Sequence, residues 1–312
     1  MADRPRVLLL CNRGKPHVNA ALETFVPWLS ERAEVVGNFG TRELTIETAD
    51  TLPETDLAIV LGGDGTLLGQ ARIMVERDVP ILGINFGKLG FLAEFSIEDV
   101  QKHWDLIASG RARVSERIML EVAVYPAGAP KWGGLNGNAA GSPDNTTDPM
   151  PEPLFTGTAL NDAVINAGPP FRMVEIELII EPQWSRQSAT TFTGDGLVIS
   201  TPSGSTAYNL SAGGPIISPG IDGMCVAALN PQSLAFRPIV FSGSCDCWMH
   251  LHRANPGTSL VLDGQTSTPL GVGQQVQIKK YAKTLSLVHN PELSYWSMLA
   301  HKMHWAARPR RV

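Results

Sequence analysis

The 312-residue sequence holds only four cysteines, Cys11, Cys225, Cys245 and Cys247. That is too few for a disulfide framework, so a reducing, cytoplasmic compartment is expected. Long hydrophobic runs are absent. No stretch approaches the ~18 apolar residues a membrane span needs, and the run Val7 to Leu10 is too short for a signal-peptide core. Excess positive charge is absent too. The formal net charge is −5, and the one basic cluster, Arg308-Pro309-Arg310-Arg311, reads as a solvated tail. Neither nucleic acid nor membrane is an expected partner. Two phosphate-binding motifs are missing. The stretch Gly83 to Lys88 is one residue short of Gly-x4-Gly-Lys-Ser/Thr, with Leu89 after the lysine, and no Gly-x-Gly-x-x-Gly occurs. Internal repeats are not found.

What remains is globular, at 43% hydrophobic and 18% charged residues. The first part alternates strand and helix signals. Val7–Cys11, Leu57–Leu61 and Ile81–Ile84 are apolar runs suited to strands buried on both faces. Helical spacing covers 19–32, 67–76 and 100–108, with Gly110 as a C-cap. The pattern predicts a parallel sheet with helices on its faces. Near residue 113 the texture becomes β-like, with runs at 120–125, 158–166, 173–180, 196–201, 225–229, 259–262, 275–279 and 285–289. Residues 295–306 look helical again. The expected organisation is an α/β nucleotide-binding domain over 1–115, completed by a C-terminal helix within 292–312, and a mostly-β domain over 116–291. Residues 126–153, rich in Gly, Pro, Asn and Asp, read as a long flexible surface insertion.

Three segments can carry chemistry. Gly62-Gly63-Asp64-Gly65-Thr66 sits where a buried strand gives way to a helix, the edge at which open α/β sheets bind ligands. Glycines admit a phosphate to the backbone, and a helix start offers free N–H groups. Asp64 suits a divalent cation or a proton from an attacking hydroxyl; a tight turn with an Asp N-cap is the alternative. The second segment, Thr193 to Tyr208, runs from an acidic turn at Asp195 through a strand to a hydroxyl-rich turn, with a helix expected from about Thr206. Asp195 can accept from a sugar or amide and Tyr208 can stack on a ring, although hydroxyl N-caps and a turn aspartate account for much of the pattern. In the third, Asn161-Asp162 opens an apolar strand. Asn suits a base edge and Asp a ribose diol, but the pair is also ordinary turn chemistry.

Taken together, the three segments resemble the NAD kinase family, which carries, in chain order, a Gly-Gly-Asp-Gly loop, an Asn-Glu pair and a long Gly-Asp-Gly-Leu-x-x-Ser-Thr-Pro-x-Gly-Ser-Thr-Ala-Tyr segment. They stand here at 62–66, 161–162 and 194–208. The runs Asn85 to Leu92, Leu210 to Ile216 and Ser233 to Val240 extend the likeness. The resemblance implies an α/β domain like those of phosphofructokinases and diacylglycerol kinases, joined to a mostly-β domain. It implies a kinase that phosphorylates the 2′-hydroxyl of the adenosine ribose of NAD, using ATP or polyphosphate with Mg²⁺, in a homodimer or tetramer. Asp64 would be the catalytic proton acceptor. Asp64, Gly65, Asn161, Asp162, Arg172, Asp195, Ser203, Thr206, Ala207, Tyr208, Ser211 and Gln265 would contact NAD, while Gly62, Gly63, Gly65 and Thr66 would form the phosphate-donor loop.

Two departures stand out. The family's Glu is Asp162 here, one methylene shorter, and the insertion 126–153 lies just before this pair. The Gly-Gly-Asp-Gly loop also occurs in lipid and sugar kinases, so these stay open, as does a non-catalytic dinucleotide-binding regulator. The pattern Cys245-x-Cys247-x-x-His250-x-His252 looks like a metal cluster. On one continuous strand its cysteines and histidines face opposite sides, so no metal site is assigned to it.

Overall fold

The computed structural model describes residues 4–41, 43–44, 51–87, 90–130, 150–180 and 189–305. Most of the expected flexible insertion, 131–149, lies outside them. The chain divides into two units, Met1–Glu116 with Leu285–Val312, and Arg117–Thr284.

The first unit opens with β1 (Arg6–Cys11), α1 (Pro16–Ser30), β2 (Glu34–Gly40), β3 (Leu57–Leu61), α2 (Asp64–Met74), β4 (Ile81–Ile84), α3 (Ile97–Lys102) and α4 (Trp104–Ala108). Its strands pair in parallel in the order β2-β1-β3-β4. The order reverses between β1 and β3, the kind of switch point beside which α/β sheets bind ligands. Leu9, Ile59 and Leu61 share a core with Phe25, Leu29 and Trp104 from the helices. Each such side chain stabilises the unit by about 1.5–3 kcal/mol relative to exposure.

Three expectations shift here. The second helix begins at Asp64 rather than Leu67, because the extended Gly63 acts as its N-cap. The helix expected over 100–108 is two short ones. Ser96 and Asp99 form a capping box that starts the first at Ile97, and His103 breaks the run at φ −106°, ψ 15°. Strand β2 has no counterpart in the sequence pattern. It lies at the sheet edge, mostly half-buried, so its sequence lacks an apolar run. Gly110 has φ +66° and donates to Ile107 O, the C-cap geometry expected of it.

The chain continues through β5 (Val114–Tyr125), β6 (Phe155–Ala159), β7 (Asp162–Asn166), β8 (Val174–Ile180), β9 (Thr190–Gly194), β10 (Gly196–Ser200), α5 (Tyr208–Ser211), β11 (Gly223–Leu229), β12 (Ile239–Ser242), β13 (Cys247–Arg253), β14 (Ser259–Leu262), β15 (Thr266–Pro269), β16 (Gln275–Val288) and α6 (Tyr295–Met303). In the second unit, β9-β8-β13-β16 form one antiparallel array, with β5 paired to β16 and β6. A separate antiparallel sheet runs β12-β11-β10-β7-β14-β15. Both sheets contribute to one core that includes Val122, Ile176, Met249, Ile165, Leu197 and Val226.

The run expected over 158–166 is two strands, broken at Leu160–Asn161, where the Asp263 carboxylate captures the backbone N–H groups. The two runs at 275–279 and 285–289 are one strand, β16, whose middle is polar and partly exposed. The helix expected from Thr206 is a 3-10 turn over Ser203–Thr206 followed by the single α-turn of α5. Ala207, at φ −99° and ψ −127°, interrupts them. α6 belongs to the first unit and packs Tyr295 against Phe91.

Candidate active site

In the first unit the loop 62–66 leaves the C-terminal end of β3. Asn12, at the end of β1, donates its backbone N–H to Leu61 O and its side-chain amide to Thr66 Oγ1 at 3.3 Å. A Cβ at Gly65 would meet nothing within 4 Å, and its φ is not positive. The fold itself therefore does not demand this glycine, which leaves room for a ligand at the helix start.

Asp64 lies in the first turn of α2, half-buried. Its Oδ2 accepts the N–H of Phe91 at 2.8 Å, and its Oδ1 accepts those of Leu92 at 3.2 Å and Ala93 at 2.9 Å. Three of a carboxylate's roughly four acceptor positions are thus taken, which leaves about one, on Oδ2. Gly90 makes the approach feasible, since a Cβ there would stand 1.7 Å from Asp64 Oδ1. The segment that follows is anchored from below. Phe95 bridges to Ile84, and buried Glu94 accepts from His289 Nδ1 at 2.9 Å and from the N–H of Asn290 at 3.1 Å.

In the second unit two cavities share Asn166 and Tyr208. One, of about 330 Å³, is lined by Asn161, Asp162, Ala207, Tyr208, Asp263 and Gly264, among others. The other, of about 500 Å³, includes Phe171, Asp195, Tyr208, Ser211 and Asn230. Asp195 and Tyr208 come together although a whole strand separates them, because the chain after β10 turns back and packs Ala212 on Val164, Val198 and Ala227.

Asn161 and Asp162 owe their position to Asp263, which sits at φ 52° before Gly264 in the β14–β15 turn. Its carboxylate accepts the N–H groups of Leu160 at 3.0 Å, Asn161 at 2.7 Å and Asp162 at 3.2 Å. Thr201 adds its N–H to Asn161 O and its hydroxyl to Leu160 O. Asn161 Oδ1 is buried with no hydrogen-bond partner among the described residues. Burial pushes the Asp162 carboxyl up to about 7, the Asp263 charge adds to this, and an N–H from Tyr208 opposes it. Asp195 Oδ2 accepts from Asn230 at 2.8 Å.

Of the remaining sequence-selected residues, Ser203 and Thr206 lie half-buried in the 3-10 turn and do not line these cavities. Arg172 and Gln265 are exposed, and only their neighbours Phe171 and Gly264 reach the cavity walls.

Comparison with known proteins gives the family of the chain. The sequence pattern of the ATP-NAD kinase N-terminal domain matches residues 29–112, and that of the ATP-NAD kinase C-terminal domain matches residues 160–290. The NAD kinase of Geotalea daltonii is 37% identical over 260 residues, spanning 83% of this chain and 82% of its own. That of Syntrophotalea carbinolica is 38% identical over 253 residues, spanning 81% and 79%. The chain belongs to the NAD kinase family. It is a phosphotransferase acting on an alcohol group, an NAD kinase in activity.

The family's fold is seen in two solved structures. A yeast NADH kinase in complex with NADH covers all of this chain and 90% of its own, with a TM-score of 0.78 at 20% identity. An NAD kinase from Archaeoglobus fulgidus in complex with ATP covers 96% of this chain and 98% of its own, with a TM-score of 0.68 at 21% identity.

Sequence reading of the family motifs missed several residues that the structure brings in. Asp263-Gly264 was legible as an Asp-Gly hairpin turn, but nothing local says that its carboxylate holds another motif. Asn166 and Phe171 gave no signal. Lys302 on α6 lies with its Nζ 4.6 Å from the centre of the Phe91 ring. Burial lowers its ammonium pKa, and the nearby charge of Asp64 partly offsets this. In sequence it reads only as a basic residue in a helix's last turn.

Proposed function

We propose that the chain transfers the terminal phosphoryl group of ATP, or of polyphosphate, to the 2′-hydroxyl of the adenosine ribose of NAD. The observation that carries this reading is the pair Asn161–Asp162, in which a buried amide oxygen without a partner among the described residues stands beside a carboxylate on a cavity wall. A buried acceptor of this kind costs about 1–3 kcal/mol until a donor reaches it, and a base amino group supplies one. Asp162 accepts from a ribose hydroxyl, Asp195 from the far end of the dinucleotide, and Tyr208 lies between the two cavities. Ala207 and Ser211 contact NAD beside it, with Ser203, Thr206, Arg172 and Gln265 as further contacts.

Asp64 orients the attacking hydroxyl through the remaining acceptor position on Oδ2 and takes its proton late, as fits a largely dissociative transfer. Gly62, Gly63, Gly65 and Thr66 receive the phosphates of the donor at the start of α2. The described residues fit Mg²⁺ as a companion of ATP rather than as an ion caged by protein, because three of Asp64's acceptor positions already hold N–H groups. The ion supplies charge neutralisation on the donor phosphates.

The wider setting is also a proposal. A homodimer or tetramer is supported by exposed Ile239 and Val240 on the edge strand β12. A cytoplasmic location is supported by four buried cysteines, none of them in a disulfide. No helix among the described residues is long and apolar enough to cross a membrane.

The test is incubation with ATP, Mg²⁺ and NAD, with phosphorus NMR of the product. A new 2′-phosphate monoester is expected. NAD binding without a product would favour the regulator, and neither binding nor product would overturn the reading. Replacing ATP by polyphosphate in the same assay settles the donor.

A further inference from the structure

The outer face of the β8–β13 pair carries two imidazoles and a carboxylate that the NAD kinase reaction does not use. His250 on β13 stands directly opposite Glu177 on β8. His252 follows two positions later, at a register shift between Leu251 and Arg253. Such a bulge leaves one residue out of the ladder and re-aims its side chain. Here Arg253 takes the place opposite Glu175, and His252 turns toward Glu177.

Glu177 Oε2 lies 3.7 Å from His250 Nδ1 and 3.1 Å from His252 Nε2. The two imidazole rings are 4.7 Å apart between centroids. One ligand atom from each of the three residues falls within a 4.8 Å span. Four-coordinate zinc, with bonds of about 2.0–2.2 Å, holds its ligand atoms roughly 3.3–3.5 Å apart, so only side-chain adjustment separates this arrangement from coordination. The side chains are 15%, 17% and 37% exposed for His250, Glu177 and His252, which shelters a bound ion while leaving a path for it.

The sequence pattern Cys245-x-Cys247-x-x-His250-x-His252, to which no metal site was assigned, holds the two histidines but not their third partner. Cys247 faces inward with Met249 and Leu251 in the core, and burial raises its thiol far above the ordinary range. The third ligand comes from the neighbouring strand, which sequence spacing does not reveal.

We propose that Glu177, His250 and His252 form a binding site for one divalent transition cation of the zinc class. Two imidazole nitrogens and one carboxylate are a borderline ligand set. They favour Zn²⁺ and its first-row neighbours over Mg²⁺ and Ca²⁺, which demand oxygen. Water completes the coordination on the solvent side. The site is separate in ligand chemistry from the Mg²⁺ that accompanies ATP.

The test uses the full chain, stripped with EDTA and titrated with Zn²⁺ by calorimetry and with Co²⁺ by visible absorption. One Zn²⁺ per chain is expected, and Co²⁺ should give d–d bands with no thiolate charge-transfer band. Loss of a partner that only orients a ligand costs about 10–100-fold in affinity, so His252→Ala and Glu177→Gln should each weaken Zn²⁺ binding at least ~10-fold. Glu177→Gln preserves shape and serves if His252→Ala disturbs folding, with circular dichroism as the control. Cys245→Ser should bind as tightly as the parent. Absence of stoichiometric Zn²⁺, binding unchanged in both ligand variants, or a thiolate band would each overturn the proposal.

Discussion

Asp64 in the first unit and Asp263 in the second perform the same backbone task with different outcomes. Each carboxylate accepts three consecutive N–H groups, those of 91–93 for Asp64 and of 160–162 for Asp263. Asp64 sits half-buried at a helix start beside glycines that leave open space, whereas Asp263 is 8% exposed in a left-handed turn position. The first aspartate keeps part of its acceptor capacity at an accessible place. The second accepts as many N–H groups but is buried where it holds Asn161 and Asp162, and its charge raises the proton affinity of Asp162. On the proposed mechanism, the same device serves chemistry in one unit and positioning in the other.

The comparison can be broken by removing each part. Asp263→Ala should show the largest loss of stability, about 3 kcal/mol or more by urea unfolding, because three N–H groups lose their acceptor in a buried turn. Its KM for NAD should rise with it. Stability unchanged would deny Asp263 its scaffold role. Gly90→Ala forces the Asp64 carboxylate aside, since the new Cβ would overlap it. Turnover should fall at least ~10-fold with NAD affinity kept; unimpaired turnover would show that the 90–93 contact is dispensable.

Asp162 makes a pH prediction. Its carboxyl titrates near 7 in the folded chain against an ordinary 3.8, so the folded state holds the proton more tightly than the unfolded state does. The stability this contributes is complete below about pH 4 and is lost as pH rises toward 7. Asp162→Asn should therefore gain stability over the parent across that window, up to about 4 kcal/mol and level above pH 7. If the ionised carboxylate receives a ribose hydroxyl, NAD binding to the parent should tighten as pH rises through 7, and the variant should bind weakly at every pH. Parallel pH profiles would remove Asp162 from the binding role. The smallest effect is Gly65→Ala, with stability unchanged or raised by up to about 1 kcal/mol and KM for ATP raised several-fold. An unaltered KM would mean that the open space at Gly65 is not used.

Much of this was legible in the sequence, for identifiable reasons. Strands β3 and β4, and β1 from Val7 onward, are apolar because both faces are covered, and the glycine-flanked Asp64 marks its own turn. Asn161 and Asp162 were legible as a polar pair opening an apolar strand. What escaped depends on contacts between distant parts of the chain. Asp263 lies about a hundred residues from the N–H groups it captures, and Lys302 approaches Phe91 from the far end of the sequence. Edge strand β2 escaped because partial burial leaves no alternation to read. The helix expected from Thr206 is cut short because Ala207, a good helix former, is held outside the helical region.

The central claim is that Asp64 separates catalysis from binding. The most direct measurement is NAD titration and NADP formation on one preparation of Asp64→Asn, with the parent alongside. The account predicts NAD affinity within a few-fold of the parent and turnover reduced about 10²–10⁴-fold. Near-normal turnover, or loss of NAD binding in step with turnover, would contradict it.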